Sequence, residues 1–219
     1  MAMNGIDVSS WQGQIVPSML EGVDFCLVKA TEGRSYVNPY CDFVVNDCVN
    51  KLIPWGFYHF GRSTDPMKEA QFFISNCKNY FGAGIPVLDW EDGQDVGWVN
   101  AFVRHVHEQT GVWPWIYANP WRFNLGGVEP NCGRWIAHYD RNQRTSLTEK
   151  LPDIPKTDGL VCCWQFTSNG QVPGYDGNLD LDRFYGDADA WAAYARGDRK
   201  LPKVNVLEDD EYRVTIERK

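Results

Sequence analysis

No basic cluster interrupts the 219 residues of this chain; Lys and Arg number 21 against 29 Asp and Glu, a formal net charge of −8. That deficit argues against nucleic acid as a partner, because a phosphate backbone is met with concentrated positive charge. No apolar run is long enough to cross a bilayer, so no membrane partner is expected. The stretch Met1–Asp7 has neither a positive segment nor an apolar one, so no signal peptide is visible. No internal repeat is evident, which argues against a solenoid. The seven Cys are irregularly spaced and describe no disulfide framework. Cys162-Cys163 is no metal motif, and no Cys lies near a His at ligand spacing, so neither metal nor cofactor is expected. Cys26, Cys41, Cys48 and Cys77 fall on apolar positions and read as buried free thiols, in keeping with synthesis in a reducing cytoplasm.

What remains is the composition of a soluble globular enzyme, 43% hydrophobic and 23% charged, long enough for one domain with a complete core. Aromatic residues reach 14%, with ten Trp. Such residues fill cores, and they also line grooves for flat ligands such as sugar rings.

The most informative stretch is Pro86-Val-Leu-Asp-Trp-Glu-Asp92, a short apolar strand that ends in acid. Alternation puts Val87, Asp89 and Glu91 on one side and Leu88 and Trp90 on the other. Two carboxylates at that spacing have α-carbons roughly 6.5–7 Å apart. An acid pair following Val87 inward is costly unless it is used, so the pair points to a site serving one sugar unit.

Around it, eight strands can be placed: Gly5–Val8, Phe25–Lys29, Trp55–Phe60, Pro86–Glu91, Trp115–Tyr117, Arg134–Tyr139, Leu160–Phe166 and Asn178–Asp182. Amphipathic helices separate the early strands. One opens at Asn38-Pro39 with apolar positions 41, 44, 45, 48 and 52; a second is capped by Asp65-Pro66; a third ends at Gly111. The later strands lack long helices between them. The pattern predicts an α/β, TIM-like barrel with its later helices reduced. In such barrels the site forms at the C-terminal ends of the strands, where Asp7, Glu32, His59, Glu91, Tyr117 and Asp180 all fall. His59 reads as a hydrogen-bonded support, Lys29 as the partner of a cleft acid, and Trp90, Trp115, Trp135 and Trp164 as mainly core.

Taken together, Gly5–Gly13, Phe25–Gly33, Gly56–Phe60, Pro86–Asp92, Trp115–Asn119, Trp135–Tyr139, Trp164–Ser168 and Leu179–Asp182 resemble glycoside hydrolase family 25, the Chalaropsis-type lysozymes. The resemblance spans roughly residues 4–187, in the family's order. It implies a (β/α)5(β)3 barrel of eight strands and about five helices. It also implies cleavage of the β-1,4 bond from N-acetylmuramic acid to N-acetylglucosamine in peptidoglycan. By motif, Glu91 is the general acid/base and Asp89 the acid that orients or stabilises the reacting sugar, with Asp7 and Asp180 lining the cleft. Asp182 stands where the family often has Asn. Tyr58, Tyr117 and Gln165 match sugar-contacting positions, and Trp135 and Glu32 complete the expected substrate-binding set. The pair on one strand face suits substrate assistance with net retention rather than a protein nucleophile. A non-catalytic wall-binding barrel and a chitinase-like hydrolase are the alternatives; the intact Asp-x-Glu pair argues against the first. Val87 stands where the second would carry a further acid.

The expected division is a barrel over 1–196, a linker over 197–203 and a short β-rich tail over 204–219, two strands about an acidic turn. Such a hairpin is marginal unless it packs on the barrel, pairs with a second copy or begins a longer module. The resemblance implies action on the cell wall, reached by release from the cytoplasm.

Overall fold

In the computed structural model, residues 2–140 and 142–198 are described, together with the backbone of 204–205 and 215–216. Strand β1 (Met3–Val8) leads through two 3-10 turns to β2 (Phe25–Glu32) and the two-residue β3 (Tyr36–Val37). There follow α1 (Cys41–Lys51), β4 (Trp55–Phe60), α2 (Pro66–Cys77), β5 (Ile85–Asp89), α3 (Val96–Thr110), β6 (Trp115–Ala118) and the single-turn α4 (Pro120–Phe123). Strands β7 (Arg134–Ala137), β8 (Val161–Gly170) and β9 (Leu179–Phe184) come next, and α5 (Ala188–Arg196) ends the barrel.

Eight of these strands close a ring in the order β1, β2, β4, β5, β6, β7, β8, β9, and β9 pairs back to β1. Neighbours are parallel except at β9, which runs antiparallel to both β8 and β1. The eight expected strands and about five helices are therefore present. β3 was not foreseen; it folds back antiparallel on the end of β2.

The ring separates two apolar layers. Outward-facing Ile6, Cys26, Val28, Phe57, Leu88, Trp90, Ile116 and Trp164 pack with Val44, Phe73, Phe102 and Val106 of the helices. Inward-facing Leu27, Ile85, Val87, Trp115, Trp135, Cys163 and Phe184 fill the barrel, and Trp191 and Ala195 of α5 join them from below. Space inside is tight: a Cβ on Gly56 would stand 2.7 Å from the Ile85 carbonyl oxygen. Inward-facing polar side chains thus gather toward the upper end of the barrel, because the lowest layer is filled with apolar ones.

Local signals explain the helix ends. Asp65 accepts from the amides of Met67 and Lys68 at the start of α2, and Asp95 from Trp98 at the start of α3. Gly111 closes α3 with φ 72, a conformation glycine adopts freely. Asn38 does not cap α1. Its side chain accepts from the Tyr40 amide and donates to the Lys29 carbonyl oxygen, and the helix begins only at Cys41. Leu52 is not on the buried face either; it ends α1 in the left-handed region with its side chain in solvent.

All seven Cys are buried and unbridged. Among the described residues, no helix is long and apolar enough to cross a membrane. The expected linker starts on the barrel surface: the Asp198 amide donates to the Gly111 carbonyl oxygen, and its carboxylate meets His107 at 2.8 Å. In the tail, Val204–Asn205 pairs antiparallel with Thr215–Ile216; the turn between them lies outside the described residues.

Candidate active site

A cleft of about 310 Å³ opens at the upper end of the barrel. Its walls include Asp7, Tyr58, Asp89, Glu91, Tyr117, Trp135, Gln165 and Asp180, eight of the nine residues expected from the sequence. Glu32 is not among them. Lys29 at 2.5 Å and Arg62 at 2.6 Å hold its carboxylate at the β2 rim. Those two bonds keep Glu32 below its ordinary value despite the upward push of burial. Lys29 therefore does pair with an acid, but with one beside the cleft, while its own side chain lines the wall.

Strand β5 ends at Asp89, two residues short of the expected end at Glu91, so only Asp89 of the acid pair lies on the strand. Val87 and Asp89 face inward, Leu88 and Trp90 outward. Trp90 is fixed just past the strand by its amide to the Tyr117 carbonyl oxygen, 2.8 Å, and by its indole N–H to that of Gln94, 2.9 Å. Glu91, one residue on, projects at the mouth and is exposed. Asp89 is buried, and its Oδ1 has no hydrogen-bond partner among the described residues.

Burial raises Asp89 well above the usual carboxylate range, and the charge of Glu91 adds to the effect against Lys29 and Arg122. Glu91 is raised as well, by the partial desolvation of the cleft wall, with Arg122 and Lys29 opposing. Like-charge repulsion from neighbouring acids is not what lifts Glu91; it is felt instead by Asp89 and by Asp180, which burial and Glu91 push up to about 6.

Asp7 and Asp180 meet in register across the β1–β9 pair. Asp182 pairs with Gly5, one layer lower, where it is fully buried and accepts from the Trp135 indole at 2.8 Å. The cleft acid of the Asp-Leu-Asp motif is thus Asp180, with Asp182 beneath it. Burial, then the charges of Asp180 and Asp182, raise Asp7 well above its ordinary value.

Gln165 ties the far wall together. Its amide nitrogen donates to Asp7 Oδ2 at 2.5 Å, and its oxygen accepts from the hydroxyls of Tyr117 at 2.7 Å and Tyr139 at 2.5 Å. An ionised Asp7 calls for the amide nitrogen of Gln165, and the two hydroxyls can then both donate to its oxygen.

His59 is a support. It meets Thr31 Oγ1 at 2.8 Å and Glu69 Oε2 at 3.1 Å, lies fully buried and stacks on Phe102. Trp90, Trp115, Trp135 and Trp164 are all core, and Trp135 also shows an edge to the cleft.

Four wall residues carried no assignment from the sequence: Ser9, Trp11, Phe60 and Tyr139. All stand at or just past the C-terminal end of a barrel strand, and that position was the available signal. Arg122, on α4, had no local signal. A second depression, about 310 Å³, lies between residues 140–152 and the outward-facing Trp164 and Phe166, and contains none of the expected residues.

The arrangement offers a carboxyl at an open mouth with a raised proton affinity, a buried carboxyl beside it, and aromatic walls. That is the equipment for hydrolysis of a glycoside. A model of the family described as glycosyl hydrolases family 25 matches residues 6–175. The uncharacterised protein YegX of Escherichia coli K12 is 28% identical over 219 residues, covering 91% of this chain and 76% of its own length. The autolytic lysozyme of Clostridium acetobutylicum is 28% identical over 197 residues, 83% of this chain and 56% of that longer protein. The solved bacterial lysozyme of Streptomyces coelicolor superposes with a TM-score of 0.72 at 26% identity, covering 89% of this chain and 97% of that one. The motifs, the closed barrel with its reversed last strand and the family match agree: the chain belongs to glycosyl hydrolase family 25.

Proposed function

We propose that this chain is a muramidase that cuts the β-1,4 bond from N-acetylmuramic acid to N-acetylglucosamine in peptidoglycan, with Glu91 and Asp89 as its working pair. The observation that carries this reading is their contrast. Glu91 is raised yet open to solvent, suited to hold a proton and exchange it with water; Asp89 beside it is buried in the cleft wall.

In the first step Glu91 gives its proton to the glycosidic oxygen as the bond to the anomeric carbon breaks. The acetamido oxygen of the same sugar attacks that carbon, and Asp89, in its ionised form, accepts from the acetamido N–H as positive charge develops there. Glu91, now a carboxylate, then takes a proton from water, whose oxygen opens the cyclic intermediate. Two displacements at one carbon give net retention. Asp89 and Glu91 come from one strand end and reach the same side of a sugar, which favours this route over one needing two carboxyls on opposite faces. Asp7 and Asp180, with Gln165, Tyr58, Tyr117 and Trp135, form the bed for the sugar. The site of action is the cell wall, as the names of the lysozyme relatives suggest, and the wall-lysing role follows from the bond cut.

The test is hydrolysis of purified walls followed by identification of the new reducing ends. N-acetylmuramic acid is expected; N-acetylglucosamine would mean a glucosaminidase. Folded Glu91→Gln protein should lose on the order of 10²-fold or more in rate, the usual weight of a general acid/base.

A further inference from the structure

Trp11 is 92% exposed. It nevertheless lines the cleft that holds Asp7, Asp89, Glu91 and Asp180. A bare indole on a catalytic cleft is a large apolar face kept in water, available to whatever enters. Its base is rigid. The Ser9 side chain accepts from the Trp11 amide at 3.3 Å, and the Gln12 side chain accepts from the Ser9 amide at 2.9 Å, a reciprocal cap on the 3-10 turn. Gly13 then closes the turn with φ 60, its amide donating to the Ser10 carbonyl oxygen at 3.2 Å.

The turn follows β1, and in the ring β1 is three places from β5, which carries Glu91. Trp11 therefore stands on the Asp7–Asp180 side of the cleft, three strands round the ring from the strand that leads to Glu91. We propose that Trp11 is a stacking platform for the pyranose ring next to the bond that is cut, a subsite that takes an equatorially substituted amino sugar by its apolar C–H face. The assignment rests on the muramidase reading for its substrate. A pyranose of this kind presents axial hydrogens on each face and polar groups around its edge. The indole supplies the apolar face, and the carboxylates and Gln165 supply partners for the edge. Because the turn is already capped, stacking orders little more than the indole itself, so the gain in binding is not spent on ordering the loop.

A platform for a bound ring should show in KM more than in kcat, unlike the loss of a proton donor. Trp11→Ala is expected to raise KM for wall glycan about tenfold, the size of a lost aromatic contact, and Trp11→Tyr to restore most of it. A second measurement reads the stack directly. Glu91→Gln protein is titrated with a soluble N-acetylglucosamine–N-acetylmuramic acid tetrasaccharide, with and without Trp11→Ala, following indole fluorescence and affinity. A titration weakened by Trp11→Ala and recovered in Trp11→Tyr supports the platform. Equal affinities with and without the indole overturn it, even if the walls are cut. Walls left intact by the unaltered protein, beside a Trp11-dependent titration, would sink the hydrolase reading alone.

Discussion

Arg122 holds the backbone of Glu91. Its Nη2 donates to the main-chain carbonyl oxygens of Glu91 and Asp92, at 2.8 and 2.7 Å, while the guanidinium lies 5.3 Å from the Trp90 ring centroid. One side chain from α4 thus grips three consecutive residues at the end of β5. It also favours the charged form of Glu91. Replacing it should have two separable effects. In Arg122→Gln the alkaline limb of kcat/KM should move to higher pH, because Glu91 keeps its proton longer without the neighbouring cation. The rate should also fall about tenfold as the turn loosens. Arg122→Lys, which keeps charge without the fork, should lose rate but hold the limb near its normal position. An unmoved limb in folded Arg122→Gln would refute the electrostatic half.

The pH profile itself follows from the two raised carboxyls. On the proposed mechanism activity needs Glu91 protonated and Asp89 ionised, and the two interacting carboxyls set the acid and alkaline limbs as a pair. Burial raises both, which places both limbs above the ordinary carboxylate values. Initial rates on walls across the acid and neutral range check this. An acid limb at the value of an ordinary Asp would remove Asp89 from that role.

Asp7 on the cleft wall and Asp182 beneath it are both raised, chiefly by burial. Between the unfolded value and the raised one, the folded chain binds more protons than the unfolded chain, so stability falls as pH rises through that window. Asp182→Asn should relieve the pressure while keeping an oxygen for the Trp135 indole. A gain of ~1 kcal/mol at neutral pH, a few degrees in melting temperature, is expected, shrinking to nothing once the pH drops below the unfolded carboxylate value. Thermal melts of both proteins at several pH values would show it; a gain that persists in acid would point to packing instead.

Removing residues 203–219 should leave the barrel folded. Trp191 packs against Phe25, Trp115 and Phe184, so α5 already covers the lower end. Asp198 is tied to α3. The melting temperature and the mass in solution should match those of the full chain; a change in either would give the tail a structural or oligomerising role.

Much of this was legible in the chain because it is local. Alternation through Val87, Asp89 and Glu91, helical spacing through Cys41, Val44, Val45 and Cys48, and Gly111 as a helix end all act within a few residues. What escaped depends on distant partners. Nothing near Arg122 announces that Glu91 lies within its reach. Glu32 stands at a strand end like the cleft acids, and Arg62, thirty positions away by chain, joins Lys29 in turning it aside. Asp180 and Asp182 are indistinguishable as letters; the register of β9 on β1 separates mouth from interior. Asn38 had two uses, helix cap or loop clasp, and the Lys29 carbonyl oxygen decided between them.

The reversal of β9 also governs where the polypeptide enters and leaves. Were the eighth strand parallel to the rest, it would finish at the mouth and send the following chain across the acids. Running the other way, it delivers Asp180 first and then descends, so that α5 and Asp198 finish at the pole where β1 begins. The described chain thus both starts and finishes at that pole, and the opposite hemisphere stays clear for a substrate that is itself a continuous mesh larger than the enzyme.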